Sequence, residues 1–312
     1  MKRIKISDIV FAVLIVIIGF IPLVTRSSYI FSLMFNTFLW ALCGQAWNII
    51  AGYTGQWSLG HALFFGLGAY GVVMAQYLLG LNPLVGLFLG MLICIPFVFI
   101  ISGLSFRLGN IYFIMATLVF PLIVQILIGH YTYSKSEDIV IGGWQGFVVN
   151  RLPLTPLQFY YIMFLLVILS IILVKFLERS RQGYFMKATR DDERLALSLG
   201  INTNKIKTLA MFISAMLTSV AGSIYAIYTG YIAPTSVFDF SISMNIILGA
   251  IVGGLGTVYG PFFGALVVFP LFQLIQGWVG GKFIGLTYIL SGFFLMSAYL
   301  IRLRFRAKSP LK

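Results

Sequence analysis

An all-α, polytopic bundle of transmembrane helices is the fold this sequence predicts, and three observations predict it. Hydrophobic residues make up 60% of the chain and charged residues 9%, with a mean hydropathy of +1.00, outside the usual soluble range. The apolar residues come in runs of about 20, the length a helix needs to cross hydrocarbon. Lys and Arg lie between those runs, so the net charge of +13 reads as membrane orientation rather than as a nucleic-acid-binding face. Lipid is the surrounding that this composition demands. With 312 residues and so many apolar runs, residues 1–312 read as a single membrane domain with no room for a folded soluble one.

In chain order, Lys2, Arg3 and Lys5 precede a first apolar run at about 9–24, and no small-x-small site follows that would make it a cleaved leader. From Ser27 to Phe106, 80 residues pass without a charged side chain, enough for three spans placed near 29–51, 62–79 and 84–106. A further span at 111–129 leads into the polar segment His130 to Pro156, and another at 158–177 leads into a charged island, 178–207. Spans near 208–230, 241–256, 259–278 and 283–301 and a basic tail complete the chain. The expectation is about ten spans, within a range of 8–10, because the glycine-rich run 241–278 reads equally as a re-entrant segment. An even number puts both termini on one side. With that side cytoplasmic, 17 of the 21 Lys and Arg fall inside, leaving Arg26, Lys135, Arg151 and Lys282 outside, as the positive-inside rule requires.

The island at 178–207, ERSRQGYFMKATRDDERLALSLGINTNKIK, is the one long polar stretch, and on this topology it is a cytoplasmic loop. Thr189 followed three residues later by Asp192 reads as a capping box, and Asp191, Asp192 and Glu193 put negative charge in a first turn, where the helix dipole favours it. Leu195, Ala196 and Leu199 then fall on one side of a short amphipathic helix of about ten residues, with Gly200 placed for a left-handed cap. An apolar knob ringed by charge, with Glu193 at its rim, is suited to being held by a soluble partner. The alternative is a solvated loop.

Glycine is the second signal. The segment 52–71 carries Gly52, Gly55, Gly60, Gly66, Gly68 and Gly71 around polar Gln56, Ser58 and His61. Close helix packing accounts for such glycines, and so does a broken backbone at membrane depth, which is tolerated only inside protein or beside water. The break with Asn48, Gly52, Gly55, Ser58, Gly60 and His61 is the candidate for part of a polar path. Gly249 with Gly253 and Gly260 with Gly264 give GxxxG spacings further on.

Other chemistries lack their residues. Gly66, Gly68 and Gly71 satisfy GxGxxG but lie in an apolar span with no strand before them, and Gly281-Lys282-Phe283 lacks the rest of a phosphate-binding loop. His61 and His130 are the only histidines, no acidic cluster joins them, and Cys43 and Cys94 sit in apolar runs, so no metal, cofactor or catalytic site is indicated.

WNIIAGYTGQWSLGHALFFGLGAY (47–70), GYFMKATRDDERLALSLGINTNKIKTLAMFISAMLTSVAGSIYA (183–226) and ILGAIVGGLGTVYGPFFGALV (247–267) resemble the permease subunits of branched-chain amino acid ABC importers. IYFIMATLVFPLIVQIL with IGGWQGF after it is closer to the LivM-type subunit than to the LivH-type one. The resemblance implies an inner-membrane, non-enzymatic transport subunit that pairs with a second permease, two cytoplasmic ATP-binding subunits and an extracytoplasmic solute-binding protein. It also implies that the loop around 183–200 docks on the ATPase. Arg190-Asp191-Asp192-Glu193-Arg194 is more charged than is common there, and importers of urea and short-chain amides use similar permeases.

Overall fold

The structure is a computed structural model that describes residues 11, 15–22, 25, 27–105, 110–130, 132–136, 139–279 and 293. Helix α1 covers Ser28–Asn48 and continues as a π-helical turn, Ile49–Tyr53. It is followed by α2 (His61–Tyr77), α3 (Pro83–Ser105), α4 (Asn110–Gly129) and α5 (Pro156–Arg179). Two short helices, α6 (Arg181–Asp191) and α7 (Glu193–Ser198), precede the long α8 (Thr203–Thr229). A single-turn α9 (Pro234–Val237), α10 (Phe240–Gly253) and α11 (Gly260–Val279) follow.

The eight long helices among the described residues fall where apolar length and breakers place them, within a few residues. Among the described residues six helical runs are long and apolar enough to cross a membrane: Ser28–Tyr53, Pro83–Leu104, Ile111–Gly129, Pro156–Arg179, Thr203–Thr229 and Pro234–Gly253. Part of the expected span at 9–24 (9, 10, 12–14, 23 and 24) and nearly all of that at 283–301 lie outside the described residues; within the first, 15–22 is helical. The chain is a multi-pass membrane protein with a helical bundle. To that all-α expectation the structure adds two small antiparallel sheets: β1 (Thr132–Ser136) with β2 (Ile139–Gly142), and β3 (Phe147–Val148) with β4 (Tyr231–Ile232). β4 directly follows α8, so the segment before α5 is pinned to the segment after α8. Helices α5 and α8 therefore run antiparallel, with the sheets at one end of the bundle and α6 and α7 at the other.

Local chemistry sets these boundaries. Thr155 and Gln158 form a reciprocal capping box at the start of α5, with Pro156 in the first turn. Gly230, at φ +71, ends α8 in the left-handed conformation that a side chain would disfavour.

α1 and α8 form the centre of the bundle and α3 and α4 its perimeter: 72% and 67% of the first two spans is buried, against 28% and 22% of the last two. The exposed apolar side chains of α3, α4 and α5, such as Phe88, Leu92, Ile111, Leu127 and Phe176, face where lipid would be. Aromatic rings from α1, α5 and α8 interlock in the core, with Phe35 stacked on Tyr228 at 3.9 Å between centroids and both edge-on to Phe159.

Around α2 the packing is by backbone. A Cβ on Gly68 would fall 2.0 Å from the Ser219 carbonyl oxygen of α8, and one on Gly222 would fall 1.9 Å from that of Phe65. On its other side α2 meets α3 through Gly71 and Gly90, where an added Cβ on Gly71 would lie 2.4 Å from the Gly90 Cα. The GxxxG pairs of α10 and α11 also face one another, an added Cβ on Gly264 lying 2.0 Å from the Gly249 oxygen. Of the glycines that read from sequence as either packing or path, Gly68 and Gly71 pack helix against helix.

Gly222→Val is expected to destabilise the chain by about 3 kcal/mol, lowering the midpoint of thermal unfolding in detergent by roughly 6–12 °C. Gly103→Ala, where the added methyl meets nothing within 4 Å, leaves the midpoint unchanged or slightly raised.

Candidate functional site

The end of the bundle between α5 and α8 is built from two capped helices. Ser180, extended, caps α6 by accepting the Gly183 N–H. α6 then runs through Thr189, whose hydroxyl donates back to the Phe185 carbonyl at 2.8 Å. Thr189 therefore caps nothing, which corrects the capping box expected from sequence. The break comes at Asp192, whose backbone is extended and whose carboxylate accepts the N–H groups of Arg194 (2.9 Å) and Leu195 (3.0 Å). The helix it starts has 6 residues rather than about ten, and Asp191 ends the preceding helix instead of joining this first turn. Gly200, at φ +82, closes it as expected: its N–H donates to Leu197, and that of Ile201 donates to Ala196.

The apolar residues of α7 divide. Ala196 is buried against the chain, while Leu195 and Leu199 are 58% and 71% exposed, joined by Leu197 at 53%. This is a second correction to the single apolar side expected. α7 is also held to the bundle: Glu193 accepts from the Lys207 ammonium at 2.6 Å, and Lys207 is buried on α8. Lys187 likewise pairs with Glu178 at 2.7 Å. Three leucines are thus presented outward on a helix fixed at its base by a buried cation.

A second link joins this segment to the end of α1. The Arg190 guanidinium donates to the Gly52 carbonyl at 3.0 Å and is oriented by Asp191, whose carboxylate accepts from Nε and Nη2. Gly52 lies in the π turn, where the regular ladder of α1 has ended. Asn48, one turn earlier, uses both ends of its amide on the α10–α11 connection, donating to the Thr257 carbonyl at 2.9 Å and accepting from the Gly256 N–H at 2.7 Å. Gln45 donates to Val258 at 2.5 Å. Gly52 and Gly256 must lack side chains here, since a Cβ on Gly52 would fall 2.1 Å from the Asn48 Oδ1 and Gly256 holds φ +72. Gly55, at φ +76, lies against Arg190, an added Cβ falling 3.1 Å from its Cγ.

From Gln56 to Gly60 the chain is not helical. The Ser58 carbonyl accepts the Trp47 indole N–H at 2.8 Å, and the Ser58 hydroxyl accepts the Gly60 N–H. The Leu59 N–H donates to Thr117 of α4, whose position seven residues into that helix sets the break about 10 Å along it. His61 opens α2, fully buried, sharing a hydrogen bond of 2.7 Å with Ser214 of α8, and the Ala62 N–H donates to Ser243 of α10. Trp57 alone in this stretch points outward, 42% exposed.

Asn48, Gly52, Gly55 and Arg190 thus come together at one junction, and Ser58, Gly60 and His61 at a second junction deeper in the bundle. Sequence reasoning did not reach the residues that answer them: Gln45 and Asn48 stand out as amides in apolar runs, but nothing local pairs them with residues 256–258, nor Leu59 with Thr117. Among the described residues no group of three or more His, Cys, Asp or Glu could hold a metal ion.

Residues 29–299 match the family described as branched-chain amino acid transport system / permease component. The chain belongs to that family. Among its relatives, the permease family's high-affinity branched-chain amino acid transport system permease protein LivM of Salmonella typhimurium is 27% identical over 289 residues, covering 85% of this chain and 67% of the relative. LivM of Escherichia coli is 26% identical over 264 residues, covering 77% and 62%. The LivH protein of Salmonella typhimurium is 32% identical over 93 residues, 30% of each chain. The chain thus spans about two thirds of the length of the LivM relatives it matches. No solved structure matches it.

Arg190→Ala in this permease-family chain leaves the Gly52 carbonyl without its donor, and a cost of about 1–3 kcal/mol is expected. Limited proteolysis should show faster cutting within 181–202 than in the native chain. Arg194→Ala, at an exposed position, should be cut at the native rate.

Proposed function

We propose that the chain is the membrane permease subunit of an ATP-driven importer that moves branched-chain amino acids delivered by an extracytoplasmic solute-binding protein. The observation that carries this reading is the family match over 29–299. In the proposed assembly the chain pairs with a second permease and receives its driving energy from two ATP-binding subunits, because no phosphate-binding motif stands in its own sequence. The ten-span topology, with both termini and the 178–207 loop on the cytoplasmic side of the inner membrane, belongs to the same reading and is supported by the placement of Lys and Arg.

α6 and α7 are the docking element. Leu195 and Leu199 are large, exposed and fixed in place by the Asp192 cap and the Glu193–Lys207 pair. Burying both against an ATPase groove contributes roughly 3–6 kcal/mol before the costs of association. Motion of the ATPase then reaches the membrane through Arg190, which grips the end of α1 at Gly52.

The path runs beside the break, past Asn48, Gly52, Gly55, Ser58, Gly60 and His61. Backbone outside a helical ladder is not tolerated against lipid, so the side on which Trp57 is exposed meets water or the second permease. Apart from Arg190, whose guanidinium is engaged by Gly52 and Asp191, the groups offered there are neutral side chains and backbone dipoles. They replace the hydration of a zwitterion without holding it, which suits transit and leaves selection to the binding protein.

Reconstituted with its partners, the chain is expected to take up leucine, isoleucine or valine only when the second permease, the ATPases, ATP and the binding protein are all present. Uptake of urea or short amides in place of these amino acids would overturn the substrate assignment. Leu195→Asp with Leu199→Asp should lower ATP-driven uptake at least about tenfold while membrane insertion is unchanged. In a background lacking Cys43 and Cys94, cysteines at positions 140 and 195 should be labelled from opposite faces of the membrane, and labelling of both from one face would contradict the topology.

A further inference from the structure

A groove of about 530 Å³ separates the end of α3 from the start of α8, at the same end of the bundle as α6 and α7. Its lining changes character along its length. Phe99, Leu209 and Phe212 form an apolar floor, and Ser102, Asn204 and Lys205 form the rim. Phe99 is 60% exposed and continues the outward apolar stripe of α3 that includes Phe88 and Leu92, so the floor opens sideways toward lipid. The apolar spans on either side end here, at Leu104 and Thr203, which places the rim at the boundary between hydrocarbon and headgroups.

The rim has few donors to spare. The Ser102 hydroxyl donates to Val98 and that of Thr208 donates to Asn204, so both are used within their own helices. What remains is the Lys205 ammonium and the Asn204 amide. Lys207, two residues on, is buried and paired with Glu193, whereas Lys205 has no carboxylate partner among the described residues. Lys205 also stands in the first turn of α8, where no acidic residue accompanies it and where the helix dipole disfavours a cation. An anion at the rim would relieve that repulsion.

We propose that this groove is a binding site for an anionic phospholipid of the adjacent leaflet, with its phosphate against Lys205 and Asn204 and an acyl chain on Phe99, Leu209 and Phe212. A free phosphate would use the rim but leave the apolar floor uncovered, and a zwitterionic lipid would bring its own cation beside Lys205. The anionic lipid matches both parts of the groove. The site does not depend on which solute the permease carries.

The full chain, purified in mild detergent and titrated with dioleoyl phosphatidylglycerol or dioleoyl phosphatidylcholine, tests this by native mass spectrometry. The expected result is retention of one phosphatidylglycerol in preference to phosphatidylcholine. Lys205→Glu should reduce that preference by roughly tenfold and Lys205→Arg should keep it, while Arg181→Glu, an exposed charge reversal at the same end of the bundle, has no effect. A glutamate is favoured in the first turn of a helix, so an unchanged unfolding midpoint for Lys205→Glu separates lost binding from lost folding. Phe212→Ala should also weaken retention. Equal retention of both lipids, native preference in Lys205→Glu, or displacement of the lipid by millimolar inorganic phosphate would each overturn the proposal.

Discussion

A backbone that leaves its helix inside hydrocarbon must have its polar groups answered by neighbouring protein, and much of this structure is arranged around meeting that demand at residues 49–60. The π turn at the end of α1 releases carbonyls that α-helical geometry would have paired. One of them, at Gly52, is met by Arg190 from the loop between α5 and α8. Asn48 and Gln45 turn to the α10–α11 connection, Trp47 and Thr117 hold the Ser58–Leu59 peptide region, and Ser243 receives the first free donor of α2. Four distant segments, the Arg190 loop, the α10–α11 connection, α4 and α10, are thereby tied to one break.

Those ties require close approach, and glycine provides it. α2 could not bring its first turns beside Ser214 and Ser243 if Gly68 and Gly222 carried side chains, because the α2–α8 contact is made there by backbone against backbone. Lipid offers little hydrophobic force between helices, so the tight fit and the few interhelical hydrogen bonds supply much of the association. The same logic explains why the loop at 178–207 is not free. The Glu193–Lys207 pair and Arg190 anchor it on both sides, one to α8 and one to the end of α1, so in the proposed assembly a force applied at the exposed leucines would reach the break.

Much of the architecture was legible in the sequence. Apolar runs of span length and the polar segments between them locate α1 to α5, α8, α10 and α11 to within a few residues, because span length and helix breakers are local properties. The polar island, Gly200 as its left-handed cap and the GxxxG packing of α10 on α11 were legible for the same reason. Asp192 was recognisable as a helix-start residue, but its role was misread: Ser180 had already started a helix that runs through Thr189, and only the extended backbone at Asp192 makes that carboxylate the cap. The β3–β4 sheet was not visible, since β3 pairs with a strand from beyond α8 and two-residue strands leave no periodicity. The partners of Asn48, Gly52 and Leu59 were equally hidden, being set by packing between residues 58 to 209 positions apart.

The central claim is that Arg190 mechanically joins the 178–207 loop, the proposed docking element, to the broken span, and replacing its hydrogen bond by a covalent one tests it most directly. A Cβ at position 55 would lie 3.7 Å from that of residue 190, close to the roughly 3.8 Å typical of a disulfide. In a chain whose other cysteines are removed, Gly55→Cys with Arg190→Cys carries the strain of a side chain at the left-handed position 55 in both redox states, and is predicted to support more ATP-driven uptake in the assembled transporter when oxidised than when reduced, when neither link remains. Equal uptake in the two redox states would contradict the account.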